Sequence, residues 1–309
     1  MATKNILFIL ILWVLIGCES MGVKTRRSDP VEIPDHDKVS LEKPAAAEAP
    51  EFLKKEAPKL GLILSGGGAL SYAHIGLIHE LEKQKVPIQA IAGMEWGALV
   101  AASYAVEGKA NATEWKLLKL PAKSFISKSF FSSSKGGASL DDFKSFLNTV
   151  FKDNLFSDTE IPFACPFTDL SKGNNSLRRS GKIRYAVRSC WGSEPHFKIG
   201  SAGANSLDIS GISRFLKSKG AELIVMIDVE SPNPWLSKKQ RQDNPSLALY
   251  EISRRSAYEL YRKPFVDEVI QIKLPGYQIN SYESLRSIIR TGQVKSKNAV
   301  KTLVKKYAF

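Results

Sequence analysis

Three cysteines, four histidines and four methionines are spread over 309 residues. So few cysteines exclude a disulfide framework. The histidines make no metal site: His74 and His79 lie five apart and off a common helix face, while His36 and His196 stand in separate segments, and no metal is assigned. The one glycine cluster is followed by no Lys-Ser/Thr pair and no acidic ribose partner, so no nucleotide or other cofactor is expected. No apolar run reaches the ~20 residues of a membrane span. Acidic charge is in deficit, with 31 Asp/Glu against 44 Lys/Arg and a net charge of +13. From Arg254 to Phe309 there are twelve basic residues against four acidic ones. That excess is not interleaved with aromatics, which argues against nucleic acid; the basic C-terminal region reads either as a site for anionic lipid headgroups or as a solvated helical face.

What is present begins with Lys4 and the eleven apolar residues Ile6–Ile16, a length that suits a secretory leader. The leader ends Leu15-Ile16-Gly17-Cys18, which resembles the lipobox of bacterial lipoproteins. That resemblance implies a leader over residues 1–17, a lipid-bearing Cys18 and a place in the cell envelope; Glu19, where an inner-membrane retention signal would have Asp, leans towards the outer membrane. Residues 18–57 mix Pro, Ala and both charge signs without an apolar period and read as a tether. Forty such residues would average roughly 35 Å of reach. The domain is expected over residues 58–309.

Within it, strands and helices alternate. "LGLIL" (60–64) is a short apolar strand, followed by Gly66-Gly67-Gly68 and a helix to about Gln84 with Leu70, Ala73, Leu77, Ile78 and Leu81 on one face. "IQAIA" (88–92) is a second strand leading into a helix from about Trp96. A helix over 140–151, a strand over 161–170, a helix start or strand over 182–190, a helix–Gly–strand unit over 213–229, a strand over 267–274 and one or two basic helices over 281–306 around Gly292 complete the pattern. This order predicts an α/β three-layer sandwich with a mainly parallel central sheet.

Two loops carry the chemistry. A glycine triplet between strand and helix offers backbone N–H groups to an anion or a developing oxyanion. "IAGMEWGALVAASYA" (91–105) is shaped like a nucleophile elbow, in which Gly93 and Gly97 let backbone crowd a sharply turned central residue. The stretch "LGLILSGGGALSYAHIGLIHELEKQKVPIQAIAGMEWGALVAASYA" resembles the patatin-like phospholipases nearly throughout. The resemblance extends through "FSDTEIPFACPFTDLSKG", "SKGAELIVMIDV" and "VDEVIQIKLPG" to residue 306. It implies a patatin-like fold and an elbow serine that attacks an ester, an Asp-Gly aspartate as base and the glycine loop as oxyanion hole. Gly66, Gly67 and Gly68 match the loop, but Leu70 and Ser71 replace its basic residue and last glycine. Glu95 stands at the serine position. The Asp-Gly region maps onto "GSAGANSLDISGISRF" (200–215), which has no Asp-Gly pair; Asp208 is the one acid there, either a dyad base or a cap.

A carboxylate attacking an ester would form an anhydride while expelling a better nucleophile, an alkoxide, so Glu95 is not expected to act as one. The expectation is instead that its carboxylate folds into the oxyanion loop and takes the glycine N–H donors. The chain then reads as a membrane-held, catalytically silent domain that binds lipid or acyl ligands, or a protein partner. Two rivals stand beside it: an active lipid acyl hydrolase using Ser65 or Ser71, and an interaction protein whose pocket is filled with side chains. Cys165 and Cys190 are expected as buried free thiols, a single bridge being the alternative. Trp96 and Trp191 line the pocket mouth or pack in the core.

Overall fold

The central strand β1 (Leu60–Leu64) is buried at every residue, which is why it reads as an unbroken apolar run, as strands covered on both faces do. The computed structural model describes residues 56–120, 140–191, 202–204 and 208–309. The leader, Cys18, the tether to residue 55, His36 and His196 lie outside the described residues. β1 pairs in parallel with β2 (Ile88–Gly93) on one side and β6 (Leu223–Asp228) on the other. β2 continues in parallel to β3 (Phe163–Asp169), and β6 to β7 (Glu268–Gln271). β4 (Asn174–Arg178) and β5 (Ala202–Ala204) pair with β3 antiparallel. The sheet order is β4-β3-β2-β1-β6-β7, with β5 on β3.

The two sheet faces bury different cores. Leu60, Leu62 and Leu64 face one side with Ile91, Val225 and Ile227, under α1 (Ala73–Lys83), α2 (Trp96–Glu107), α3 (Ala110–Leu117), α4 (Leu140–Phe151), α5 (Ile183–Trp191) and a C-terminal helix. Ile63, Ala90, Ala92, Ile224 and Met226 face the other, against α6 (Ile209–Ser218) and Tyr258. Alternation along β1 thus decides which residue meets which layer. The expected three-layer α/β sandwich with a mainly parallel sheet is the fold observed.

Three segments the sequence did not resolve are now plain. Residues 183–191 are helical, and 285–307 form one continuous helix rather than two; between β6 and β7 lie α7 (Lys238–Asp243) and α8 (Pro245–Arg262), with α9 (Leu285–Tyr307) closing the chain. Gly292 does not break α9. A Cβ there would lie 2.5 Å from the Ala73 carbonyl oxygen, so the glycine serves the close crossing of α9 over α1. Among the described residues, no helix is long and apolar enough to cross a membrane.

The expectation of free thiols is corrected: Cys165 on β3 and Cys190 on α5 form a disulfide, with Cα atoms 6.0 Å apart and both residues buried. The chain returns from β3 through β4 into α5, which packs on β3, and that return brings the two cysteines together. The bridge closes a loop of 25 residues, which corresponds to about 3.5 kcal/mol of lost unfolded-state entropy. The Cys165→Ala/Cys190→Ala variant should therefore melt roughly 7–14 °C below the oxidised wild type. Differential scanning calorimetry checks this, and equal melting with and without reductant would mean that the bridge does not form.

Candidate functional site

The parallel strands β1, β2 and β6 end side by side, and the chain leaves β1 at the point where strand order reverses towards β6 and β7. Such a switch point, outside the carboxyl ends of the strands, is where open α/β sheets bind ligands. Ser65 N–H donates to the Ile227 carbonyl at 3.0 Å, and Met94 N–H donates to that of Leu64 at 3.0 Å. These bonds splice the loops after β1 and β2 to the sheet edge, so the glycine loop, the elbow and the residues after β6 converge.

The elbow is built as its sequence implies. Glu95 sits at φ 52°, ψ −122°, a backbone region that costs a side-chain-bearing residue about 1–3 kcal/mol and persists only where its surroundings impose it. The imposing contacts are glycine contacts. A Cβ on Gly93 would lie 2.2 Å from the Gly97 carbonyl oxygen, and one on Gly97 would lie 2.3 Å from that of Ser65. On the facing loop, Gly67 and Gly68 take φ values of 124° and 59°. The strained turn of a serine-hydrolase elbow is thus present around a residue that is not serine.

Glu95 is 9% exposed. Its Oε2 lies where a Cβ on Gly66 would meet it at 2.5 Å, so the carboxylate does rest against the glycine loop. Its hydrogen bond, however, comes from elsewhere. Arg254 on α8 donates from Nη2 to Glu95 Oε1 at 2.5 Å, and from Nη1 to Glu230 Oε1. Among the described residues, no glycine amide donates to the Glu95 carboxylate. The expectation about its donors is therefore corrected: a guanidinium, which offers planar donors in a fixed fork, supplies what the amides were expected to supply.

Glu230, just after β6, is buried, and its Oε2 has no hydrogen-bond partner among the described residues. Burial, with the nearby charges of Glu95 and Asp228, raises its pKa to about 8 against the pull of Arg254. Burial opposes the charge of Arg254, yet Glu230 and Glu95 hold its pKa above the usual arginine value. The guanidinium also lies over the Trp235 ring, 4.5 Å from its centroid. Beside this triad, the fully buried Asp228 accepts the Glu230 and Ser231 amides and an Arg262 guanidinium N–H at 2.5 Å.

The other candidates fall into structural roles. Asp208 caps α6, its Oδ1 accepting the Gly211 amide at 3.1 Å, and half-burial raises its pKa. Ser65 is engaged twice, donating to the Gly66 carbonyl and accepting the Val229 amide. The Ser71 hydroxyl is buried without a partner among the described residues. His74 is fully buried and donates from Nε2 to the Ser65 carbonyl at 2.9 Å. Burial lowers its pKa to about 4, against the Ser65 bond and the Asp228 charge, so the ring is neutral. His79 pairs with Glu114. Among the described residues, no cluster of His, Cys, Asp and Glu could hold a metal. Trp96, directly after Glu95, packs in the core against Trp191, Phe143 and Tyr282 at centroid distances of 5.1–5.9 Å. Core packing, not a pocket mouth, is the role of both tryptophans.

Residues 62–196, which include both loops, match the model of the patatin-like phospholipase family. Human patatin-like phospholipase domain-containing protein 6 is 25% identical over 239 residues, covering 68% of this chain and 16% of that protein. Neuropathy target esterase sws of Drosophila melanogaster is 26% identical over 71% of this chain and 16% of its own length. Lysophospholipase nte1 of Aspergillus fumigatus is 28% identical over 56% and 12%. This chain thus spans a small fraction of the curated relatives it matches. Among solved structures, VipD from Legionella pneumophila aligns with a TM-score of 0.46 at 12% identity, over 80% of this chain and 67% of that one. Over residues 62–196 the chain is similar to the patatin-like phospholipase family.

Two measurements test the triad. Removing one partner of a buried ion pair costs about 3–5 kcal/mol, so Arg254→Met should lower the unfolding free energy by that much, and adding Glu95→Gln should recover part of the loss in a double-mutant cycle. The second uses pH. The folded chain holds a proton on Glu230 up to about pH 8, which the unfolded chain releases near its ordinary 4.5. The folded state therefore binds more protons in that window, and stability falls as pH rises through it. His74, with a folded value of about 4 against 6.5, acts in the opposite sense but only below pH 6.5. Urea unfolding between pH 6.5 and 8 should show stability declining in the wild type and a flatter profile in Glu230→Gln.

Proposed function

We propose that this patatin-like phospholipase domain is held at a bacterial membrane by a lipidated Cys18 and does not hydrolyse esters through an elbow nucleophile, acting instead by binding at the lipid surface or to a partner protein there. The observation that carries the reading is the Glu95 carboxylate fixed at the elbow by Arg254 and resting on Gly66. Oxyanion catalysis needs donors aimed at a site where negative charge develops. Here a carboxylate already occupies the neighbourhood of the loop, so a developing oxyanion would meet a second negative charge. The residue at the expected base position is engaged as well: Asp208, the acid in the Asp-Gly region, serves as a helix cap.

The disulfide supports an oxidising compartment, in keeping with the leader and an envelope location, the outer membrane being favoured. The exposed basic residues of α9, such as Arg286, Arg290, Lys297 and Lys301, would add attraction to anionic lipid. The packing of Trp96, Phe143, Trp191 and Tyr282 behind the elbow favours surface binding over an acyl chain drawn into the old pocket.

Hydrolysis of a short acyl p-nitrophenyl ester and of a phospholipid tests this, with Glu95→Gln and Glu95→Ser run beside the wild type and a fluorophosphonate label as a second readout. All three proteins should stay at the buffer rate and remain unlabelled, Glu95→Ser included, because restoring the hydroxyl does not restore the base. Wild-type turnover lost in Glu95→Gln would overturn the reading by making the carboxylate catalytic. Label on Ser71 would overturn it in favour of a displaced nucleophile.

A further inference from the structure

Helix α8 is built inside out. Towards the domain it turns Glu251, which accepts the Trp235 amide, Arg254, which donates to the Glu95–Glu230 pair, Tyr258, which donates to Met226 Sδ, and Arg262, which donates to Asp228. Towards the outside it turns Leu249, Tyr250, Ile252, Leu260 and Tyr261, which are 65%, 43%, 52%, 64% and 52% exposed. At ~100° per residue these five, with Pro245, Ser246, Ser253, Ser256 and Ala257 between them, span about half the helix circumference. None of the ten is charged. A soluble surface helix shows the reverse arrangement, and contiguous apolar exposure of this kind marks an interaction site.

We propose that the outer face of α8 is a membrane-docking surface, seated in the headgroup–acyl boundary of an anionic bilayer. Charge placement selects this occupant. Exposed Lys238 and Lys239 on α7 precede the face and exposed Lys263 follows it, with exposed Asp243 and Glu259 as the acids beside it, so the charge flanking the face is net positive. Interfacial helices of this design combine an apolar face with flanking Lys and Arg drawn to anionic headgroups. Tyr250 and Tyr261 lie together at one edge, where an amphipathic ring suits the boundary. A second copy of the chain fits less well. Pairing two such faces in parallel sets lysines against lysines, whereas anionic headgroups neutralise them.

The test uses the full chain carrying Cys18→Ser, which keeps it independent of the lipidation proposed above. With Cys165 and Cys190 bridged, a cysteine introduced at position 252 is the reactive thiol for an environment-sensitive fluorophore. Equivalent labels at Lys172, exposed on the β3–β4 turn, and at Lys297 on α9 serve as comparisons. Vesicles of phosphatidylcholine with phosphatidylglycerol carry bromine on the acyl chains. Quenching should be about fivefold stronger for Ile252→Cys than for Lys172→Cys, should weaken in pure phosphatidylcholine, and should drop towards the Lys172 level when Leu249→Glu and Leu260→Glu are added. Equal quenching at 252 and 172, or stronger quenching at 297, overturns the proposal. So does shielding of the 252 label without vesicles that grows with protein concentration, which would assign the face to self-association. Hydrolytic activity in the ester assay would leave this result untouched, so the two readings fail separately.

Discussion

One buried guanidinium organises this end of the molecule. Arg254 is the cation shared by Glu95, at the elbow after β2, and Glu230, after β6, and it comes from α8, on the connection from β6 to β7 and far in sequence from the elbow. A carboxylate buried without a partner is expensive enough to be neutralised or exposed instead. Glu95 can therefore stay under cover at the elbow only because α8 brings Arg254 to it. The dependence runs the other way too. Few apolar residues of α8 are buried, Ala248 and Tyr258 among them, so its seat on the sheet edge rests on Arg254, Arg262 and Arg255, which donate to backbone and side-chain oxygens, and on Glu251, which accepts the Trp235 amide.

The shape of the elbow and the chemistry such an elbow supports have different physical sources. Its shape is imposed by close backbone approaches at Gly93 and Gly97, which are indifferent to the side chain between them. The positive φ at Glu95 is held by the strand and helix on either side, through the Met94 bond to β1 and the Gly97 and Ala98 amides that open α2. Reactivity depends on the central side chain and on a base within reach. Substituting one residue changes the chemistry and leaves the geometry standing.

The sequence was most legible where structure is local. β1, the glycine loop, β2 and the elbow are set by apolar runs and glycines within a few residues, and all lie where the pattern placed them. Asp208 was readable as a cap, since its bond to Gly211 spans three residues. The partner of Glu95 was not readable, because Arg254 lies 159 residues away and nothing near Glu95 announces it. Residues 245–262 also mislead any rule that sends apolar residues inward, since Leu249, Ile252 and Leu260 point out while Arg254 and Arg262 point in. The one usable signal was that inversion: a helix with charges on one face and an uncharged opposite half needs explaining at both. The disulfide was hidden for a similar reason, since two cysteines in apolar stretches look the same reduced or paired until β4 folds the chain back.

Charge accounting at the triad shows why a glutamate there is not a poorer serine. Arg254 brings one positive charge to two carboxylates, and Asp228 nearby is already engaged by Arg262. With both glutamates ionised the triad keeps an excess negative charge in a place of low polarity. A proton on Glu230, whose pKa is raised to about 8, removes it. With that proton the triad is neutral overall, and Glu95 is the carboxylate that rests against the glycine loop. A substrate carbonyl would gain little from the loop's amides in the transition state, because stabilisation there counts only where charge develops and is unopposed. On the proposed reading, the arrangement that stabilises Glu95 in a strained, nearly buried position also opposes the charge that acyl transfer would develop there.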